Sequence, residues 1–268
     1  MINGAQGGSI HVMDRAVMYG DGVFRTMRMM RAQVPCWSQQ YLKLQADCQA
    51  LEILCPARST LELELRQLAQ ETPDCAVKII VSRGEGGRGY MAPTSASPNR
   101  VVLSAPLPEY PSHYWQQGVP LHVCDIRLSH QPRLAGIKHL NRLENVLARM
   151  EWTDANIPEG LLLDAEGWVV EGTMSNIFMR IGQRLLTPDL SACGVSGLQR
   201  DRILKYAPKL GLSPDIQRFD LPTLLRAEEV LVSNSLIGLW PVCRIGATPI
   251  ALGPSASALQ DLLENEID

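Results

Sequence analysis

Three short stretches carry residue types that could act together on one small molecule. The first is Leu134-Ala135-Gly136-Ile137-Lys138-His139-Leu140-Asn141-Arg142-Leu143-Glu144. A lysine amine held neutral can attack a carbonyl and form a Schiff base. Leu140, Leu143, Leu147 and Met150 recur at helical spacing, which predicts a helix from Leu140 with these residues on one face. Pro132 and Gly136 argue against an earlier start. Lys138 would then stand at the positive end of a helix dipole, whose field favours the neutral amine. A solvated lysine at a helix end fits the same residues.

The second stretch holds Glu171, beside Trp168 and Val170 on a strand expected to be half buried. A buried carboxylate needs a partner. A protonated pyridine nitrogen would be one, and the carboxylate would keep that nitrogen protonated. A strand-end glutamate facing water is the alternative. The third is Gly194-Val195-Ser196-Gly197-Leu198, read as the opening of a helix. Free backbone N–H groups and the dipole make a phosphate seat there, although an ordinary glycine-rich turn would look alike. Ser233-Asn234-Ser235 is a second small, polar turn that could close the other side. A Schiff-base lysine, a carboxylate for a ring nitrogen and a phosphate seat describe pyridoxal 5′-phosphate.

Composition narrows the field. The chain has 268 residues, 46% hydrophobic and 20% charged, which is ordinary for a globular protein with a sizeable core. A net charge of −3 gives no global reason to expect nucleic acid or an anionic membrane as partner. Of 25 basic residues only Lys43, Lys78, Lys138, Lys205 and Lys209 are lysines, so few candidates exist for amine chemistry. The seven cysteines form no C-x-x-C pair and suggest no disulfide framework. No basic n-region with an apolar h-region opens the sequence, and no apolar run reaches membrane-spanning length. The expectation is a reduced, cytoplasmic protein with a small-molecule substrate, no metal, no nucleic acid and no membrane.

The elements that must position these residues read as follows. Asp14-Arg15-Ala16 looks like a capped helical turn broken at Gly20-Asp21-Gly22. Residues 23–37 read as two strands turning near Arg31-Ala32-Gln33. Ser38 is the expected cap of a helix over 39–54, with Leu44, Cys48, Leu51 and Leu54 inward. Ser59-Thr60-Leu61-Glu62 fits a capping box opening a helix to about Glu71. Strands are expected over 76–82, 101–105 and 121–127. Between the first two, Gly84 to Gly89 matches G-x-G-x-x-G, but two prolines follow where a dinucleotide motif needs a helix. That loop is read as flexible and beside a site, or as a plain surface turn; Arg88 and Tyr90 on it could reach a carboxylate. Hairpins are expected at Ala165-Glu166-Gly167 and Gly182-Gln183, and the helix after Gly197 runs to about Leu210, disturbed by Pro208. Short strands over 215–219, 229–233 and 240–244 surround a helical turn at 221–226.

The order and wording of these segments resemble the fold-type IV pyridoxal-phosphate enzymes, which include branched-chain and D-amino acid aminotransferases and aminodeoxychorismate lyases. The likeness runs through Asp14-Arg15-Ala16, Tyr19-Gly20-Asp21-Gly22-Val23-Phe24, Ser82-Arg83-Gly84, Gly136-Ile137-Lys138, Glu171-Gly172-Thr173-Met174-Ser175-Asn176-Ile177-Phe178 and Gly194-Val195-Ser196-Gly197. Ser82 to Tyr90 and Leu134 to Glu144 look most like the bacterial lyase subfamily. The resemblance implies that Lys138 holds the cofactor as a Schiff base and that Glu171 binds the pyridine nitrogen. It implies that Gly197 and Leu198 offer backbone N–H groups to the phosphate, with Asn234 and Ser235 nearby. Asn176 would orient the strand of Glu171; Arg88 would hold a substrate carboxylate, with Tyr90 beside it. Where the family has an arginine for the phosphate, preceded by a histidine, this chain reads Gln40-Tyr41-Leu42-Lys43-Leu44. Lys43 keeps the charge and loses the bidentate fork, or is merely exposed.

The implied fold is α/β (α+β) with two domains. Residues 1–106 would form a smaller α/β domain, 107–116 a linker and 117–268 a larger, barrel-like, mostly antiparallel domain carrying the lysine. The cofactor would lie in the cleft between them, and the family works as homodimers whose partner loops close that cleft. The implied reaction converts 4-amino-4-deoxychorismate to 4-aminobenzoate and pyruvate in folate synthesis. A D-amino acid or branched-chain aminotransferase is the nearest alternative, and a non-catalytic cofactor-binding protein the distant one.

Overall fold

A computed structural model describes residues 1–265. Residues 266–268, the end of the expected second domain, lie outside the described residues. The described chain forms two compact units, one from Met1–Pro108 with Ile137–Asn141, the other from Glu109–Gly136 with residues 142–265.

The first unit is a three-stranded antiparallel sheet covered by helices. In α1 (Arg15–Tyr19) the buried Asp14 caps the Ala16 N–H, and Gly20 ends the turn at φ 66°, a left-handed conformation that glycine adopts without cost. β1 (Gly22–Met29) alternates, sending Val23, Arg25, Met27 and Met29 inward. α2 (Trp37–Ala50) and α3 (Arg58–Glu71) carry Leu44, Cys48, Leu61 and Leu65 into the same core. β2 (Cys75–Ser82) pairs with β1 from Gly22↔Ser82 to Met29↔Cys75, and β3 (Arg100–Ala105) follows on its far side. Each fully buried aliphatic side chain here is worth about 1.5–3 kcal/mol in apolar area removed from water.

Several expectations change in this unit. Only one strand forms between residues 23 and 37; a single bridge, Met30↔Gln33, closes a turn with Arg31 and Ala32 at positive φ. Pro35 has no N–H to extend the pairing. α2 begins at Trp37 after an uncapped Cys36 and stops at Ala50, so Leu54 lies outside it, 76% exposed. α3 has no capping box: Glu62 instead accepts hydrogen bonds from Trp37 Nε1 at 2.9 Å and Arg58 Nε at 2.7 Å. The largest change concerns the lysine stretch. Ile137–Asn141 runs extended along β1, with Phe24 N–H donating to Lys138 O and Leu140 N–H to Gly22 O, both at 3.0 Å. It thereby packs with the first unit, whereas the expected boundaries put it in the second.

The second unit opens with the short α4 (Tyr114–Gln117) and is built on nine strands. These are β4 (Val119–Leu128), β5 (Glu159–Asp164), β6 (Val169–Gly172), β7 (Asn176–Ile181), β8 (Arg184–Thr187), β9 (Ser213–Ile216), β10 (Glu229–Asn234), β11 (Gly238–Ile245) and β12 (Thr248–Pro249). Their order is β6-β5-β4-β11-β10-β7-β8-β9, with β12 on β11. Most pairings are antiparallel; β4–β5, β4–β11 and β8–β9 are parallel. Period-two alternation feeds two cores. Ile177, Val232 and Trp240 enter one with Leu121 and Leu161, while Phe178, Leu231 and Leu239 enter the other. The second core is covered by α6 (Leu198–Tyr206) and α8 (Ser255–Asn265), the latter through Ala256, Leu259 and Leu263. α6 gives way to a 3-10 turn over Ala207–Leu210 at Pro208, as the missing N–H requires. α7 (Leu221–Leu224) is capped by Asp220, and the strand expected over 215–219 forms earlier, as β9.

The helix expected from Leu140 is only α5 (Leu143–Arg149), because Leu140 is held by β1 pairing. Its apolar face points to solvent: Leu143 is 75% and Met150 71% exposed, and Val146 and Leu147 are exposed beside them. No described helix is long and apolar enough to cross a membrane.

Candidate active site

Lys138 is fixed through its backbone. Its carbonyl accepts from Phe24, and its N–H donates to the carboxylate of Asp47 on α2. Asp47 also takes Arg25 Nη2 at 2.5 Å, both side chains almost wholly buried, and Arg25 Nη2 reaches Lys43 O at 3.4 Å. Burial pushes the Asp47 carboxyl above its ordinary value, against the opposing pull of Arg25, the Lys138 amide and Lys43. The Lys138 amine lies 4.7 Å from the centroid of the Phe24 ring, and Lys78 Nζ lies 4.6 Å from the same centroid. The expected helix-dipole effect is absent. α5 starts at Leu143, too far along the chain for its first turn to act on Lys138. Lys43 sits half-buried on α2 with the Arg25 guanidinium against its carbonyl.

In the second unit, Glu171 lies on β6, 4% exposed, and its Oε2 accepts the Val195 N–H at 2.8 Å. The turn approaches this closely because residue 194 is glycine. Its φ is 88°, and a Cβ there would lie 2.7 Å from Val170 Cγ1 and 3.4 Å from Glu171 Oε2. Gly136 N–H donates to Gly194 O at 2.9 Å, and Ser196 N–H donates back to Gly136 O at 3.0 Å. Asn176 staples the next step. Its Nδ2 donates to Val195 O at 2.7 Å and its Oδ1 accepts the Gly197 N–H at 3.1 Å. Asn176 thus holds the turn, where the sequence suggested that it orients the strand of Glu171. The Gly197 N–H, expected at a phosphate, is committed to Asn176; Leu198, Gln199 and Arg200 supply the first-turn amides of α6, which have no acceptor within the helix.

Asn234 spends its side chain on its own turn. Oδ1 accepts Leu236 and Ile237 N–H at 2.8 and 2.9 Å, and Nδ2 donates to Met174 O. Ser235 follows in that turn. Ser233 pairs directly with Asn176 across β10 and β7, so both side chains share a face. Its buried hydroxyl meets no hydrogen-bond partner among the described residues. Within the second unit, a buried carboxylate, a helix N-terminus and a hydroxyl without a partner among the described residues are a donor and acceptor set that suits a phosphorylated pyridine.

The glycine loop opens no helix and leads to β3. Arg88 and Tyr90 are exposed on it, Tyr90 at 87%. Arg83 Nε and Arg15 Nε both donate to Asp21 Oδ2 at 2.8 Å. Burial raises the Asp21 pKa, but these two guanidinium groups outweigh it and hold the carboxyl below its ordinary value. One further cluster, His130, Asp164 and Cys193, offers metal-type ligand atoms within 4.8 Å. Asp164 there accepts from His130 and closes the β5–β6 hairpin through the Glu166 and Trp168 N–H groups.

Residues 22–245 match the family described as amino-transferase class IV. The chain belongs to that family. It is 36% identical over 249 residues to an aminodeoxychorismate lyase of Vibrio harveyi, covering 92% of this chain and 91% of that one. Its structure matches the crystal structure of 4-amino-4-deoxychorismate lyase from Pseudomonas aeruginosa at a TM-score of 0.95 and 39% identity, over 99% of this chain and 98% of that one. The branched-chain aminotransferase of Escherichia coli shares the fold at a TM-score of 0.86 and 22% identity, over 99% and 93%. The fold type IV expected from the sequence, with a smaller α/β part and a larger, barrel-like, mostly antiparallel one, is therefore the one this chain has.

Sequence reasoning missed Arg25 and Asp47, named Lys78 only among the five lysines, and named Ser233 only as part of the polar turn Ser233-Asn234-Ser235. Strand alternation would have placed Lys78 on the Phe24 face, since Thr26↔Lys78 and Phe24↔Ile80 are register partners. The Arg25–Asp47 contact joins a strand to a helix and leaves no local spacing signal.

Proposed function

We propose that this class IV chain is a pyridoxal-phosphate-dependent lyase that converts 4-amino-4-deoxychorismate to 4-aminobenzoate and pyruvate, a step of folate biosynthesis. The structural likeness to the Pseudomonas lyase over 99% of this chain carries the reading; the backbone-held Lys138 of the first unit and, separately, Glu171 with the α6 N-terminus of the second support the cofactor. When bound, the cofactor supplies an electron sink for charge left on the substrate's ring carbon. Lys138 anchors it covalently. The free Lys138 amine would take the proton from the ring carbon bearing nitrogen and return a proton to the departing pyruvate. Glu171 keeps the pyridine nitrogen protonated. In the second unit Leu198 and its α6 neighbours, with Ser235, would hold the phosphate, while Asn234 and Gly197 shape the two turns; Lys43 on α2 keeps the charge the family places at that position.

The products carry one carboxylate each, so the substrate carries two. Lys78, beside Lys138 on the Phe24 ring, and Arg88, with Tyr90, are the cations proposed to receive them. The chain acts as a cytoplasmic homodimer in this reading. The exposed apolar face of α5 supports a second copy as its cover, and the exposure of Arg88 and Tyr90 supports their serving that copy's site. The two compact units are taken as domains; of the segment 107–116 expected as a linker, the part from Glu109 belongs to the second unit, with Tyr114 buried in its core. Release of 4-aminobenzoate and pyruvate in equal amounts tests the reading; amino transfer to 2-oxoglutarate without that release would replace it with an aminotransferase.

A further inference from the structure

Arg15 is 4% exposed, yet its guanidinium faces the most open loop of the first unit. Nη1 donates to Gly89 O at 3.1 Å and Met91 O at 3.3 Å, and Nη2 donates to Tyr90 O at 3.1 Å. Three consecutive carbonyls thus converge on one planar fork, whose Nε is fixed by Asp21. α1 adds a second hold. The Tyr19 hydroxyl accepts the Gly89 N–H at 3.0 Å, its ring lies 5.4 Å from that of Tyr90, and Arg15 Cζ lies 4.9 Å from the Tyr19 centroid. Among the described residues no other hydrogen bond or ion pair holds residues 88–91. A Cβ at Gly87 or Gly89 would meet nothing within 4 Å, and Arg88, Tyr90 and Met91 are exposed. A glycine-rich segment without an apolar anchor has low intrinsic order, so its conformation depends on these polar ties.

We propose that Arg15 is a positioning residue: it sets the path of residues 88–91 and, through that path, the direction in which Arg88 and Tyr90 meet a substrate carboxylate. The second half rests on the substrate contacts proposed above. The loop expected to be flexible is, in this account, a clamped one.

Two readouts on the cofactor-loaded enzyme separate the halves. Tryptic cleavage after Arg88 reports the loop, and the steady-state kinetics of 4-aminobenzoate release report its consequence. R15K keeps the charge and loses the fork; Y19F keeps Arg15 and removes only the acceptor of the Gly89 N–H. Cleavage after Arg88 is expected to quicken about tenfold in R15K and less in Y19F. KM should rise about tenfold in R15K, with kcat within about twofold and the cofactor absorbance unchanged. Because Arg15 acts through the loop, the R15K/R88A/Y90F variant should show the KM of R88A/Y90F, not the product of the two effects. Unchanged cleavage in both single variants, or multiplying KM effects, overturns the proposal. A wild-type KM in R88A/Y90F would overturn the substrate contact alone, and faster cleavage in R15K would then still support the clamp. If R15K does not fold, the cleavage rate of Y19F decides.

Discussion

The lysine stretch and the glycine turn are built by different means. Lys138 is surrounded by charge. The buried Arg25–Asp47 pair braces its backbone, Lys78 shares its aromatic ring, and the neighbouring loop hangs on Arg15 and Asp21. Glu171 accepts the Val195 N–H in a turn shaped by glycines and held by Asn176 through Val195 O and the Gly197 N–H. Under the proposed function the contrast suits two tasks. A proton-transferring amine and an anionic substrate need fields that side-chain charges provide, whereas a ring nitrogen and a phosphate need fixed directions, which backbone N–H groups give without side-chain entropy.

That difference can be broken at four points. The largest effect is expected for Lys138→Ala, which should lower 4-aminobenzoate release by about a thousandfold or more and abolish covalent trapping of the cofactor by borohydride. Glu171→Gln tests the other side. Glutamine can still accept the Val195 N–H, so the turn should persist and the cofactor should remain trapped, while turnover falls by about a hundredfold for loss of the charge. A Gln variant as fast as wild type would show that Glu171 only holds the turn.

These two residues were also the ones most legible beforehand, for a local reason. Glu171 follows a hairpin that Ala165-Glu166-Gly167 announces, and Gly194 and Gly197 announce their turn. Lys138 stood out because lysines are few, but its surroundings were misread. The three-and-four spacing from Leu140 does mark an apolar face, yet that face is exposed, and Leu140 itself is paired with Gly22 far back in the chain. The same spacing in Ala256, Leu259 and Leu263 marks a truly buried helix, α8, which the sequence reading passed over. Spacing records that a face is apolar and is silent about what covers it. The Arg25, Asp47 and Lys78 contacts depend on register and on packing between distant elements, so no window of sequence contains them.

Two smaller effects sharpen the contrast. Lys78→Ala should raise KM about tenfold while leaving cofactor trapping intact, since a carboxylate would lose one cation and Lys138 would stay in place. An unchanged KM would remove Lys78 from the substrate reading. Asp21→Asn should show its effect mainly as a change in acid sensitivity. The Asp21 pKa is lowered in the folded chain from its ordinary 3.8, so its stabilising contribution is present above that value and is lost as pH falls through the lower, folded one. Thermal melts should therefore show wild type above the Asn variant near neutrality, with the gap closing in strong acid. A gap that stays constant across that range would mean that Asp21 acts by shape alone.

The most direct measurement of the central claim is a single incubation of the cofactor-loaded wild-type chain with 4-amino-4-deoxychorismate, following 4-aminobenzoate and pyruvate together. The account predicts that both accumulate in a one-to-one ratio, catalytically and without any amino acceptor. Accumulation of neither product, or turnover that requires 2-oxoglutarate and yields glutamate instead, would contradict it.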